Sequence, residues 1–319
     1  MSTKIVYREP LFTRRRELLI DMCITLKRHS KNFLYILSSR EAMQSVRSQI
    51  YSRGGGMEGP EVIAFDELEG NIAYGFIADH KILDPMVDKI ILDNLCVDLK
   101  EELLYFKEIA EKEGFKDDIY IFIRQCKRQG VSPTDLKAMW EGITDRLFRD
   151  KLRDIYSIYS AYEKELQKRD VHSPDDIATI ALHNTAQASY LDNIDTIVVD
   201  GFINIDPIDI DLLQEIVDRG DIHIYVNVPY INPLMNQFVD RELIEPLIGM
   251  GFDVEDGEVC LGTYKSNIDK LVRILYMGEQ IDIDTDNLSL KRYSCIRSEA
   301  WGVGQDIKRR LDEGESPNN

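Results

Sequence analysis

The sequence predicts an α/β protein whose parallel sheet is interrupted by an all-helical insertion. Three observations carry that reading. The runs Phe33-Leu34-Tyr35-Ile36-Leu37 and Ile197-Val198-Val199 are unbroken apolar stretches, as strands buried on both faces require. Helical patterns separate such runs toward both ends of the chain, an order that implies right-handed crossovers in a doubly wound sheet. Between residues 83 and 185 one helical pattern follows another and no strand pattern intervenes.

Taken in order, Ile5-Val6-Tyr7 reads as the first strand and Arg14 to Lys27 as the first helix. Phe33 to Leu37 is the second strand. Ser39 caps a helix from Glu41 to Tyr51, with Ala42, Met43, Val46 and Ile50 on its apolar face. Gly54-Gly55-Gly56 is a loop, and Val62-Ile63-Ala64-Phe65 the third strand. The helical stretch breaks at Gly114, at Gly130-Val131-Ser132-Pro133 and at His172-Ser173-Pro174. Leu136, Met139, Ile143, Leu147, Leu152, Ile155, Ile158, Tyr159 and Tyr162 recur at helical spacing, and the tyrosines among them read as core or helix–helix contacts rather than as a base-stacking platform. Strands return at Thr196 to Asp200 and Ile222 to Val226. The helix between them opens at Asp206-Pro207, with Pro at its first position, and runs to about Arg219. After Pro229 the pattern loosens. Leu288 to Cys295 alternates like a strand, and Ser298 caps a helix from Glu299 to about Glu313. The expected boundaries are 1–82 for the first half of the α/β domain, 83–185 for the insertion and 186–285 for the second half. Residues 286–319 then begin a second domain and stop short of its next strand, as a fragment of a longer chain would.

The 319 residues suggest about two domains. No window approaches 18 uncharged apolar residues, so no membrane span is expected, and the polar, Arg-rich start lacks a signal core. Cys23, Cys96, Cys126, Cys260 and Cys295 are scattered and never spaced CxxC, which points to a reducing cytoplasm and against a disulfide framework or zinc cluster. The net charge is −18, unevenly spread: residues 1–53 hold eleven basic and four acidic side chains, a local +7 that leaves −25 on the rest. A basic segment on an acidic body fits one local anionic contact, docking to a partner, or a solvated helix face.

A nucleotide-binding sheet needs GxxxxGK[ST] after its first strand, so that backbone N–H groups can approach phosphate. Tyr7 to Arg16 contains no glycine, and Leu11 and Phe12 crowd that approach. Thr13 and Arg14 to Arg16 imitate the end of such a loop, although a plain strand-to-helix connection is the favoured reading. Gly54-Gly55-Gly56 runs into Met57-Glu58-Gly59-Pro60 rather than GK[ST]. Asp200 ends an apolar strand, where a Mg²⁺-binding carboxylate sits in P-loop ATPases. Gly201 follows it, so the second carboxylate is missing. Asp175-Asp176 read as helix-capping residues. His29, His80, His172, His183 and His223 show no metal or triad spacing. No catalytic residue and no metal-ligand set is legible, and Thr13, Arg14 and Asp200 stand as vestigial nucleotide-binding candidates.

The order of these pieces resembles superfamily 1 helicases of the UvrD type, and more closely the AddB/RexB subunits of bacterial ATP-dependent helicase–nucleases. Phe33 to Arg47 looks like the family's second conserved strand and helix, and Glu61 to Leu68 like the strand that follows. Ile123 to Pro133 and Asp154 to Ile177 are similar to segments of the helical insertion. Val198-Val199-Asp200-Gly201-Phe202 carries most, since AddB-like subunits have Asp-Gly-Phe where active helicases have Asp-Glu. Ser298 to Ile307 resembles the start of the second motor domain. Many AddB-like chains keep a GxxxxGK[ST] loop and this one does not.

The resemblance implies a RecA/UvrD-like P-loop fold, degenerate and without catalysis of its own. It implies a role in double-strand break repair and recombination, holding DNA and an AddA/RexA-like motor subunit in register. The partner would use ATP and Mg²⁺, and the nuclease motif and iron–sulfur cysteines would lie beyond Asn319. Single-stranded DNA or a duplex end would be held weakly, with Ser38, Ser39, Arg40 and Arg47 as the contacts. Two alternatives stay open. One is a divergent ATPase using Thr13, Arg14 to Arg16 and Asp200; the other is an interaction domain without DNA contacts.

Overall fold

Strands buried at every position need cover on both faces, and the chain supplies it from different segments. The computed structural model describes residues 2–10, 15–54, 62–78, 81–230, 239–256 and 291–315, with a few isolated positions between 270 and 289. It folds as two compact units, Met1–Cys260 and Leu261–Asn319. The first contains a six-stranded, all-parallel sheet. The strands are β1 (Lys4–Pro10), β2 (Phe33–Leu37), β3 (Val62–Ile63), β4 (Thr196–Asp200), β5 (His223–Tyr230) and β6 (Asp253–Asp256), in the spatial order β3-β2-β4-β5-β1-β6.

Alternation along β2 divides the cover. Phe33, Tyr35 and Leu37 face helices α1 (Arg15–Arg28) and α2 (Arg40–Gly54), packing with Ile20, Cys23, Met43, Val46 and Ile50. Leu34 and Ile36 join the opposite core, built by α3 (Phe65–Ala73), α8 (Asp176–Asn184), α9 (Pro207–Arg219) and the helical turn ending in α10 (Glu245–Gly249). Between α3 and α8 lie α4 (Pro85–Asp98), α5 (Glu113–Arg128), α6 (Pro133–Glu141) and α7 (Arg146–Arg169). They bury a core of their own around Leu92, Ile119, Ile123, Ile158 and Tyr162. The α/β class and the helical insertion are as the sequence predicts.

Three expected elements differ. Phe65 begins α3 instead of ending β3, because Glu67 takes the Ala64 N–H at 3.2 Å and so caps a helix there. In the second unit, residues 291–295 are not a strand, and Cys295, not Ser298, caps α11 (Ile296–Asp312). Leu288, Leu290 and the loop residues Gly55 and Gly56 lie outside the described residues. β6 has no counterpart in the sequence-based reading. No helix among the described residues is long and apolar enough to cross a membrane.

The insertion is bolted to the sheet by the C-terminal end of α5. Arg124 pairs with Asp175 (2.6 Å), and the buried Lys127 pairs with Asp176 (2.5 Å) and Glu163 (2.8 Å). Arg128 meets three carboxylates: Glu69 of α3 (2.7 Å), Asp206 (2.9 Å) and Asp209 of α9 (2.9 Å). Asp175 and Asp176 are therefore ion-pair partners, and Asp176 also accepts the Ser173 N–H at 2.8 Å.

Burial and the neighbouring Glu69 push the Asp209 carboxyl well above the usual range, with Arg128 opposing them. The folded state thus keeps a proton that the unfolded state has lost, and stability falls as pH rises above the ordinary carboxylate range. Arg128→Met should cost about 2–3 kcal/mol, since it removes a largely buried guanidinium and strands the two buried carboxylates, Glu69 and Asp209, that it neutralises. The loss should be larger at pH 8.5 than at pH 5.5, where protonation relieves the stranded pair. Thermal melts of both proteins at the two pH values check this.

Candidate functional site

In open α/β sheets, ligands bind beyond the carboxyl ends of the strands. Along that edge the register sets Leu37, Asp200, Asn227 and Tyr7 level on β2, β4, β5 and β1. Asp200, which the sequence singles out, is fully buried there. Its carboxylate accepts four donors. Arg16, in the first turn of α1, gives Nε to Oδ2 at 2.5 Å and Nη2 to Oδ1 at 3.2 Å. The Tyr35 hydroxyl donates to Oδ2 and the Asn227 amide to Oδ1, each at 2.8 Å. The Asp200 hydrogen bond holds the Arg16 guanidinium above its ordinary range. Burial, then the Asp200 charge, drives the Tyr35 hydroxyl far up, so it remains a donor.

Gly201 explains why the second carboxylate is missing. Its φ of +82° lies in the left-handed region, and a Cβ would stand 3.0 Å from Arg16 Nη2. Its N–H donates to the Asn227 carbonyl (3.1 Å), and its carbonyl accepts the Ser38 hydroxyl (3.2 Å). Phe202 then packs edge-on to Phe65 at 5.1 Å. In Asp-Gly-Phe the first residue thus anchors α1, the second makes the turn beside Arg16, and the third ties the loop to α3.

These residues do not fit a divalent cation. Both Asp200 oxygens are engaged by protein donors, and a metal ion would have to displace a guanidinium that already neutralises the charge. Thr13 and Arg14 lie outside the described residues. Arg15 pairs with the buried Glu9 (2.7 Å) and lies 4.1 Å over the Tyr7 ring. Ser38, Ser39 and Arg40 stand exposed together at the end of β2, and the Ser39 hydroxyl accepts the Ala42 N–H at 3.2 Å. Arg47 lies two turns further along α2, half-buried, and donates to the Val62 carbonyl of β3 at 2.5 Å.

Burial pushes the Cys23 and Cys96 thiols up to about 12 and the Cys126 thiol to about 11, so all three stay protonated in apolar cores. Among the described residues no group of His, Cys, Asp and Glu could hold a metal ion. Sequence reasoning found Asp200 but missed Arg16, Tyr35 and Asn227 as its partners. The available signal was a polar group inside an otherwise apolar strand, at Tyr35 and again at Asn227.

The family model described as ADDB, N-terminal, matches residues 51–235. Several curated proteins, each named as the B component of an ATP-dependent helicase/deoxyribonuclease, are similar to this chain. That of Geobacillus kaustophilus is 26% identical over 308 residues, covering 88% of this chain and 26% of the relative. That of Listeria welshimeri is 20% identical over 313 residues (91% and 26%), and that of Clostridium novyi 25% over 197 (60% and 17%). The chain thus spans about a quarter or less of the length of these relatives.

Gly201→Ala should destabilise the protein by about 2 kcal/mol, from left-handed strain and the push on Arg16. Gly249→Ala, in α10 with nothing within 4 Å of the added Cβ, should be close to neutral. Urea midpoints followed by circular dichroism compare the two.

Proposed function

The chain belongs to the AddB N-terminal family, and from that premise we propose that it is a helicase-like scaffold that holds DNA and a motor subunit without hydrolysing ATP. The observation that carries this reading is the closed carboxylate at the sheet edge. A nucleotide site of this fold needs a strand-end carboxylate free to hold Mg²⁺, and here Asp200 is joined to Arg16, Tyr35 and Asn227. ATP and Mg²⁺ belong, in this proposal, to an AddA/RexA-like partner. The names of the relatives, helicase and deoxyribonuclease, support a place in such a complex, working on DNA ends in cytoplasmic break repair and recombination. No iron–sulfur cluster is assigned to this chain, whose cysteines at 23, 96 and 126 are packed as core residues.

The DNA contacts we propose are Ser38, Ser39 and Arg40, exposed at the carboxyl end of β2. Phosphate is the group they suit, so recognition is independent of base sequence. Arg47 has a different main task, because its hydrogen bond joins α2 to the edge strand β3. Its inclusion among the DNA contacts therefore rests on the outer part of a half-buried side chain.

Calorimetric titration with Mg·ATP should give no binding heat; micromolar affinity would favour the divergent-ATPase reading instead. In fluorescence anisotropy with a labelled oligonucleotide, Arg40→Ala should leave stability unchanged and flatten the salt slope by about 0.7. Arg47→Ala should lower stability by about 1 kcal/mol, through the lost bond to Val62. Binding that ignores salt would support the interaction-domain reading.

A further inference from the structure

We propose that the cavity beside the C-terminal end of α7 binds a small aliphatic cation, an alkylguanidinium or alkylammonium group. The inference is independent of the DNA-holding reading above, because it concerns a different site and a different class of ligand. The cavity comes from the way the chain leaves α7. Asp170 takes a left-handed φ of +55°, and the Val171 N–H turns back to the Leu166 carbonyl at 3.2 Å. His172 then bridges to the segment before α4. Its N–H donates to the Lys81 carbonyl (2.8 Å), and its carbonyl accepts the Leu83 N–H (2.9 Å). Asp176, at the start of α8, accepts the Ser173 N–H at 2.8 Å. Held at these points, the link leaves a cavity of about 360 Å³ between α7 and α8, near the lower end of the range of small-molecule sites.

Its lining selects the sign of the ligand. Glu163, Asp170 and Asp176 line it, and among the described residues no Lys or Arg does. The fold already uses two of these carboxylates. Asp170 pairs with Lys81 at 2.6 Å, and Asp176 accepts both Lys127 (2.5 Å) and the Ser173 N–H. Lys127 also reaches Glu163, through Oε1 at 2.8 Å. One ammonium thus serves two carboxylates, and among the described residues no hydrogen bond reaches the other Glu163 oxygen. Lys127 is buried and does not line the cavity, whereas Glu163 is 33% exposed. Burial holds the Glu163 carboxyl above its ordinary range, with Lys127 opposing it. Over these two lysines and three carboxylates, one negative charge is left uncompensated at the cavity.

The rest of the lining sets the class of cation. Leu166, Val171 and Ile180 supply an apolar wall, which an alkyl stem can cover and an inorganic ion cannot. Coordination leads to the same choice, because among the described residues no group of His, Cys, Asp and Glu could hold a metal ion. The Gln167 amide, the His172 imidazole and the Thr179 hydroxyl belong to residues that line the cavity. Among the described residues none of the three makes a side-chain hydrogen bond. An ammonium or guanidinium brings several N–H donors, and a carboxylate, an amide carbonyl and a hydroxyl are acceptors for them. Lys127 displays the same match beside this cavity, an ammonium on an alkyl stem held by Glu163 and Asp176. A neutral ligand would leave the charge of Glu163 unanswered, and an anion would meet three carboxylates.

The test is calorimetric titration of the full chain with n-butylguanidinium at low ionic strength. One saturable site is expected, and neither the neutral n-butylurea nor Mg²⁺ should bind there. Thr179→Leu fills the cavity without touching an ion pair, and should weaken binding about tenfold with an unchanged thermal melt. Glu163→Gln should abolish binding, but it also loosens Lys127. Gln167→Glu is therefore its complement: it adds a carboxylate at an exposed position of the rim and should tighten binding about threefold. The tripeptide acetyl-Gly-Arg-Gly-amide separates two sources of the same chemistry. If it binds as tightly as n-butylguanidinium, the cavity takes a side chain of a protein partner; if it does not bind, the cavity takes a free small molecule. Both results support the site. Three results overturn it: the Thr179→Leu protein binding n-butylguanidinium as the wild type does, n-butylurea binding equally well, or the wild type binding neither cation. The DNA-holding reading survives each of them, since oligonucleotide anisotropy tests it separately.

Discussion

A carboxylate sealed at the end of a central strand must be neutralised, and the contact between Arg16 and Asp200 does this. Much of the sheet edge depends on it. The guanidinium can reach Asp200 only if α1 starts directly above β4, which fixes how the first crossover lies on the sheet. Its Nη2 occupies the space that a side chain at position 201 would need, so the residue there is glycine in a left-handed turn. That turn directs the Gly201 carbonyl to Ser38 and so brings the end of β2 against the end of β4. Removing one partner would leave the other without its counter-charge, the costly side of a buried pair. Arg16 is about half exposed, so solvent screens it and weakens the pair relative to a fully buried one.

The same rule joins the insertion to the sheet. Its helices have a separate apolar core, so hydrophobic burial alone does not determine how they attach. Of three basic residues within five positions of α5, Arg124 and Lys127 pair with carboxylates at the start of α8, and Arg128 reaches α3 and α9 at once. An apolar junction could slide, whereas a fork held by three carboxylates fits one arrangement. The basic run that resembles the family's insertion segment is thus explained by attachment, with no need of a ligand.

What is legible in the sequence follows from distance along the chain. β2 and β4 are readable because complete burial leaves an apolar run, and α9 because Asp206-Pro207 and Gly220 mark its ends locally. β6 leaves no such trace: Asp253-Val254-Glu255-Asp256 is an exposed edge strand with one apolar residue, defined only by pairing with β1. Phe65 suits a strand by its aromatic character, while the deciding interaction is Glu67 closing back on Ala64. Asp200 can be recognised from its strand-end position. Its partner Arg16 lies 184 residues away, and no local pattern records that pairing.

Charge shows the same limit from the other side. Counted along the chain, residues 1–53 are the basic segment, with a net +7. In the fold, much of that charge is internal to the structure. Arg8 pairs with Asp256, Arg15 with Glu9, Arg16 with Asp200, Lys31 with Asp195 and Arg53 with Asp21. Lys4 and Arg47 donate to the carbonyls of Met250 and Val62. A field that steers an anion comes from charges left uncompensated in space, however the sequence groups them. The place to look for an anionic partner is therefore set by which carboxylates the fold has already used.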